Sequence, residues 1–145
     1  MREPGMAFIA AIHKSVVLVD EELPIGLSAN AVSVIGVSMG RALDGLVGPP
    51  LESRDGHRYP GVVLAPLPIL VAPQMELRAK YLRAADDPDM IVFPFSNLAQ
   101  SCKTYDEYEA LLSAADSAEI PLSAVGIVGP RKSVNKLAGS FSLLK

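Results

Sequence analysis

Two stretches of this chain, Ser15-Val-Val-Leu-Val19 and Ala124-Val-Gly-Ile-Val128, run through small, aliphatic and β-branched residues with almost no polar interruption. A strand with one wet face alternates polar and apolar residues, so uninterrupted runs of this length belong to strands buried on both faces. The first run ends at Asp20 and the second at Gly129-Pro130, which bounds each to strand length. Both are expected at the centre of a sheet. A chain of 145 residues can cover such strands, since a domain of this size buries roughly 68–70% of its unfolded surface. With hydrophobic residues at 50% and charged residues at 20%, the composition is that of one globular domain, 1–145, whose residues 1–12 form a lead-in of undetermined structure.

Between the two runs the sequence supplies helices. From Ser28 to about Leu43 there is no proline and no charge before Arg41, and the length favours helix over strand. Gly45 to Pro60 is rich in glycine, proline and charge, a loop or small hairpin around Arg54-Asp-Gly56. Gly61 to Val71 is apolar again, but Pro66 and Pro68 suggest that its strand ends near Leu64 or lies at an edge. Pro73 can open a helix over Gln74–Ala85, closed by Asp86-Asp-Pro88. Met90-Ile-Val-Phe93 reads as a strand, and Thr104 with Glu107 as a capping box for a helix reaching about Asp116. Strands alternating with helices argue for a layered α/β domain containing parallel pairs.

Several function classes are disfavoured by what the sequence carries. A formal charge of −3 gives no broad cationic field, so nucleic acid is not an expected partner. The apolar run Met6–Ile12 is too short to span a bilayer and lacks a convincing cleavage site. One cysteine, Cys102, cannot form an internal disulfide, which suits a reducing cytoplasm, and no zinc spacing is present. Phosphate-binding and dinucleotide glycine motifs and the nucleophile elbow are also missing from the sequence, so no cofactor or metal is expected.

Three blocks resemble a known family: Lys14 to Ala31, Ala99 to Tyr108, and Gly129-Pro-Arg-Lys-Ser-Val-Asn-Lys-Leu-Ala-Gly-Ser140. Together they are similar to the uncharacterised family numbered as domain of unknown function two thousand, over nearly the whole chain after the first dozen residues. The resemblance implies a fold similar to peptidyl-tRNA hydrolase II: a three-layer α/β/α sandwich around a mixed sheet of about four strands, with no established activity. Compared with those hydrolases, Gly26 matches their glycine. Leu27, Ala31 and Val34 stand where they carry lysine, glutamine and histidine, and Phe95-Ser-Asn97 replaces their Asp-Ala-Gly turn.

In open α/β sheets ligands gather at the carboxyl ends of strands. That rule makes Asp20, Asn97, Arg131 and Lys132 candidates, with Asn30 on the polar stripe of the first long helix. Arg131 and Lys132, a guanidinium beside an ammonium after a Gly-Pro turn, suit a carboxylate or phosphate, although a solvated basic pair is an equally good account of them. Asp20 is a candidate proton acceptor, although a turn or helix-capping carboxylate is the better account of it. The favoured expectation is a small-anion binding domain using Asn30, Asn97, Arg131 and Lys132. One alternative is an ester or amide hydrolase with Asp20 as base and Arg131 or Lys132 stabilising the oxyanion. A homodimeric interaction protein, pairing through the apolar first helix, where Gly36 and Gly40 lie four apart, and the Leu-rich tail, is the third. Cys102 with His13 or His57 would be the only Cys-His arrangement available, and the sequence does not place either histidine beside it.

Overall fold

A computed structural model describes residues 6–145; residues 1–5 of the lead-in lie outside the described residues. Strand β1 (Met6–Ala7) leads into β2 (His13–Asp20), helix α1 (Ile25–Ala42) and β3 (Leu43–Asp44), which pairs with β1 in parallel. A small hairpin, β4 (Leu51–Glu52) and β5 (Arg58–Tyr59), turns through Gly56, whose φ of 89° favours glycine. Next come β6 (Ile69–Ala72), α2 (Gln74–Ala85), β7 (Ile91–Ser96), α3 (Asn97–Ser101) and α4 (Tyr105–Ser113). A short 3-10 turn at Ser117–Glu119 precedes β8 (Leu122–Pro130), α5 (Arg131–Ala138) and β9 (Ser142–Leu143).

The main sheet has five strands in the order β7-β8-β2-β6-β9, one more than the expected count because the chain end adds β9, of two residues. Strands β2 and β6 are parallel, while β8 lies antiparallel between β2 and β7. The sheet is therefore mixed. Leu122 to Gly129 are all buried, as expected of a strand with a neighbour on each side and helices above and below. Pro94, which cannot donate to a ladder, sits exposed in β7 at the sheet edge.

The expectation for residues 61–71 needs correcting. No strand ends near Leu64, where only a bridge between Val47 and Val63 forms. The strand instead starts just after Pro68 and is interior, between β2 and β9. Pro68 does not break it because the proline stands before the ladder and contributes only its carbonyl, which accepts the Val17 N–H at 3.0 Å. Arg131 and Lys132, expected after a Gly-Pro turn, are the first residues of α5.

Alternation along β2 and β8 sends side chains to two apolar clusters. Val16, Leu18, Val125 and Ile127 meet Leu77 and Ala84 of α2 and Val134, Leu137 and Ala138 of α5. Val17, Val19, Ala124, Val128 and Phe93 meet Ala31, Ile35 and Met39 of α1. Gly126 lies directly beneath α1. A Cβ there would stand 2.5 Å from the end of Met39 and 2.7 Å from a methyl of Ile35, so the helix can approach only over glycine.

Gly126→Ala should destabilise the fold by about 1–3 kcal/mol through overpacking. Ser15→Ala should do the opposite. Its hydroxyl is buried with no hydrogen-bond partner among the described residues, and removing an unpaired buried donor can gain up to about 1 kcal/mol. Urea denaturation of both variants checks the two signs together.

Candidate functional site

Strands β2, β6 and β7 run in the same direction and end at one edge of the sheet, where β8 begins. Asp20, the last residue of β2, meets Gln74 at the start of α2. The Gln74 amide nitrogen donates to the Asp20 carboxylate and to the Leu122 carbonyl, each at 2.8 Å, and its oxygen accepts the Leu122 N–H at 2.9 Å. The other Asp20 oxygen accepts the Glu22 backbone N–H at 2.9 Å. Asp20, through Gln74, thus helps join β2, α2 and β8, each of its carboxylate oxygens accepting one hydrogen bond.

A second glutamine fastens the neighbouring corner. Gln100 of α3 donates to the Leu27 carbonyl at 2.8 Å and to the Asn30 side-chain oxygen at 3.1 Å, while its own oxygen accepts from the Ser123 hydroxyl at 2.7 Å. Asn30 is thereby tied to α3. Asn97 opens α3, its backbone N–H donating to the Pro121 carbonyl at 3.0 Å. The preceding Ser96 caps that helix by accepting the Ala99 N–H at 3.1 Å, a role suited to serine. The exposed Asn97 side chain makes no hydrogen bond among the described residues.

The helix pair α3–α4 folds back towards α1 and leaves a hollow of about 410 Å³ beside the end of β7. Val34 and Ser38 of α1, Phe95 of β7, and Cys102, Lys103, Tyr105 and Tyr108 lie on its wall. The two tyrosine rings meet edge to face, centroids 5.8 Å apart at 82°, a favourable aromatic geometry. Thr104 holds the start of α4 in place by accepting the Glu107 N–H at 3.1 Å, as its spacing to Glu107 leads one to expect. Burial pushes the Tyr108 hydroxyl above a tyrosine's ordinary range; Tyr105 and Cys102 add to the rise, and a hydrogen bond with Ser96 opposes it.

Arg131 and Lys132 do not join this edge. Because β8 is antiparallel to β2, its carboxyl end pairs with the amino end of β2, Pro130 opposite His13, and the Arg131 N–H donates to the Ile12 carbonyl at 3.0 Å. The length of β8, about 27 Å at strand rise, separates the basic pair from Asn97 and Asp20. The rule that strand ends gather ligands holds for parallel strands, and β8 is not one. Of the expected residues, Asp20, Asn30 and Asn97 share one edge while Arg131 and Lys132 occupy the other. Lys14 also lies at that other edge, donating to the Asn135 side chain at 2.6 Å. His13 accepts the Ile9 N–H through Nδ1 at 2.9 Å, and His57 faces Asp55 at 3.5 Å in the exposed hairpin, so neither histidine partners Cys102. Gln74, Gln100 and Lys103 carry no motif; only the three-residue spacing of Tyr105 and Tyr108 hinted at a shared face.

A model of the family described as a protein of unknown function, DUF2000, matches residues 13–145. The chain is also similar to a solved protein of unknown function from Agrobacterium tumefaciens strain C58, with a TM-score of 0.73 at 17% identity over 92% of this chain and 98% of that one. At that identity the likeness concerns the fold. No curated protein matches the chain. Among the described residues no helix is long and apolar enough to cross a membrane, and no group of three or more His, Cys, Asp or Glu could hold a metal ion.

In an alkaline absorbance titration, Tyr108 should ionise above a tyrosine's ordinary range, and Tyr108→Phe should remove that late step. The sign for stability follows. A raised folded-state value means the native chain holds this proton longer than the unfolded one. The Tyr108 contribution is therefore complete below about pH 10 and is lost as pH climbs through its folded value. Denaturation midpoints of the wild type and Tyr108→Phe should draw together above that pH.

Proposed function

We propose that this chain, which belongs to the DUF2000 family, is a binding domain for a small molecule with a flat apolar body and one anionic group, seated in the hollow between α1, β7 and α4. The observation that carries this reading is the edge-to-face pair Tyr105–Tyr108 on the wall of a hollow of about 410 Å³, at the edge where the parallel strands end. The rings and Phe95 offer apolar surface, Ser38 and Cys102 weak polar contacts, and Lys103 the cation for the anionic group. The anion is expected still, but at Lys103 and not at Arg131 and Lys132.

We take the scaffold to be a three-layer α/β/α arrangement of the peptidyl-tRNA hydrolase II kind, an inference supported by the apolar clusters that α1 makes on one face of the sheet and α2 and α5 on the other. On that comparison Val34, at the hydrolases' histidine position, contributes to the wall of the hollow, while Ala31 is buried in the core. An apolar wall in place of a base favours binding over hydrolysis. An ester or amide hydrolase built on Asp20 and the Arg131–Lys132 pair would need them at one cavity, and they stand at opposite edges of the sheet. An interaction protein would use the outward face of α1, where Val37 is 77% exposed and Gly36 and Gly40 face open space. The hollow beside the same helix offers the more specific geometry.

A suitable probe is 8-anilinonaphthalene-1-sulfonate, flat, apolar and singly anionic. Its fluorescence should rise saturably on the folded protein and quench the tyrosine emission, since the chain has no tryptophan and two of its four tyrosines line the hollow. Lys103→Ala and Tyr105→Ala should each weaken binding several-fold, in line with the loss of a charged contact or of aromatic area. The double change Arg131→Ala with Lys132→Ala should leave binding unaltered. Affinity that falls only in that double variant would refute the assignment.

A further inference from the structure

At the opposite edge of the sheet, a second hollow of about 250 Å³ opens between the end of α2 and α5. Arg83 comes from the last turn of α2 and Lys136 from α5, and neither makes a hydrogen bond or ion pair among the described residues. Two cations from separate helices on one small cavity repel each other, and the end of each helix, rich in carbonyl groups, offsets only part of that repulsion. The Ser133 hydroxyl and the Asp87 carboxylate share the wall.

The acid is fixed in place. One Asp87 oxygen accepts the Asp89 N–H at 2.8 Å, and the Asp87 carbonyl accepts the Met90 N–H at 3.1 Å, so the turn that closes α2 holds the carboxylate at the cavity with its other oxygen uncommitted. Met90 is fixed as well, packed so closely on Gly129 that a Cβ there would stand 2.9 Å from it. Ala84 and Leu137, both buried, complete an apolar wall with Met90.

Two cations, one acid and an apolar wall set requirements on an occupant. A dianion such as phosphate would leave the Asp87 carboxylate opposed by like charge. A carboxylate that bears a donor on the neighbouring carbon satisfies all of them: oxygens to Arg83 and Lys136, donor to Asp87, aliphatic chain to Ala84, Met90 and Leu137. We propose that this second hollow binds small α-amino or α-hydroxy acids with an apolar side chain, independently of the ligand in the tyrosine-walled hollow.

The test is a ¹H–¹⁵N NMR titration of the full chain with L-leucine, 2-hydroxy-4-methylpentanoate, 4-methylpentanoate and inorganic phosphate. Leucine and the hydroxy acid should shift the amides of Arg83–Asp87 and Ser133–Leu137 saturably, while 4-methylpentanoate, which lacks the donor, should bind several-fold more weakly. Arg83→Ala with Lys136→Ala should abolish the shifts while the rest of the spectrum reports an intact fold. Asp87→Asn should narrow the preference for leucine over 4-methylpentanoate. The site is overturned if leucine and the hydroxy acid leave these amides unmoved, if the shifts survive in the double variant, or if phosphate produces them equally well.

Discussion

The antiparallel ladders that β8 makes with β2 on one side and β7 on the other govern the rest of the structure. From Leu122 to Gly129 every residue is buried, and each fully buried valine, leucine or isoleucine of the strand contributes about 1.5–3 kcal/mol relative to exposure. The strand has no spare face. From Ala124 to Val128 its even positions pack under α1 and its odd positions under α2 and α5, so a shift of one residue would exchange the two clusters and put Gly126 where a side chain is needed.

From that placement the two edges of the molecule follow. The start of β8 arrives among the ends of β2, β6 and β7, and two glutamines fasten it there: Gln74 bonds both backbone groups of Leu122, and Gln100 takes the Ser123 hydroxyl. These bonds are partly buried, where an unpaired polar group costs about 1–3 kcal/mol, so the corner is held against loosening. Helices α3 and α4 rest on it, and the tyrosine-walled hollow is the space they leave against α1. The far end of β8 turns directly into α5 and carries the charges of Arg131, Lys132 and Lys136 to the other edge.

Much of the architecture was legible in the sequence because it rests on local chemistry. Continuous aliphatic runs marked β2 and β8, Pro73 and Asp86-Asp-Pro88 bounded α2, and Thr104 with Glu107 marked the start of α4. The strand expected within 61–71 is misplaced, near Leu64 or at an edge, because Pro66 and Pro68 look like strand breakers, although Pro68 stands just outside the ladder. The candidate site was legible only in part. Asp20 and Asn97 are expected at strand carboxyl ends and Asn30 on the first long helix, but strand direction is a property of pairing, and nothing local in Ala124 to Val128 says that the strand runs against β2. Without that fact, the strand-end rule groups Arg131 and Lys132 with Asp20 and Asn97, and the Asp20 partner Gln74, 54 residues away, is not visible in the sequence.

The separation of the two edges is open to a direct distance measurement, helped by the single cysteine. Spin labels on Cys102, in the wall of the hollow, and on a cysteine introduced by Lys132→Cys would be read by pulsed electron paramagnetic resonance. With β8 antiparallel to β2 the separation should exceed about 20 Å, most of the length of that strand. A distance below about 15 Å would put the basic pair beside the hollow and contradict the strand direction on which the whole account is built.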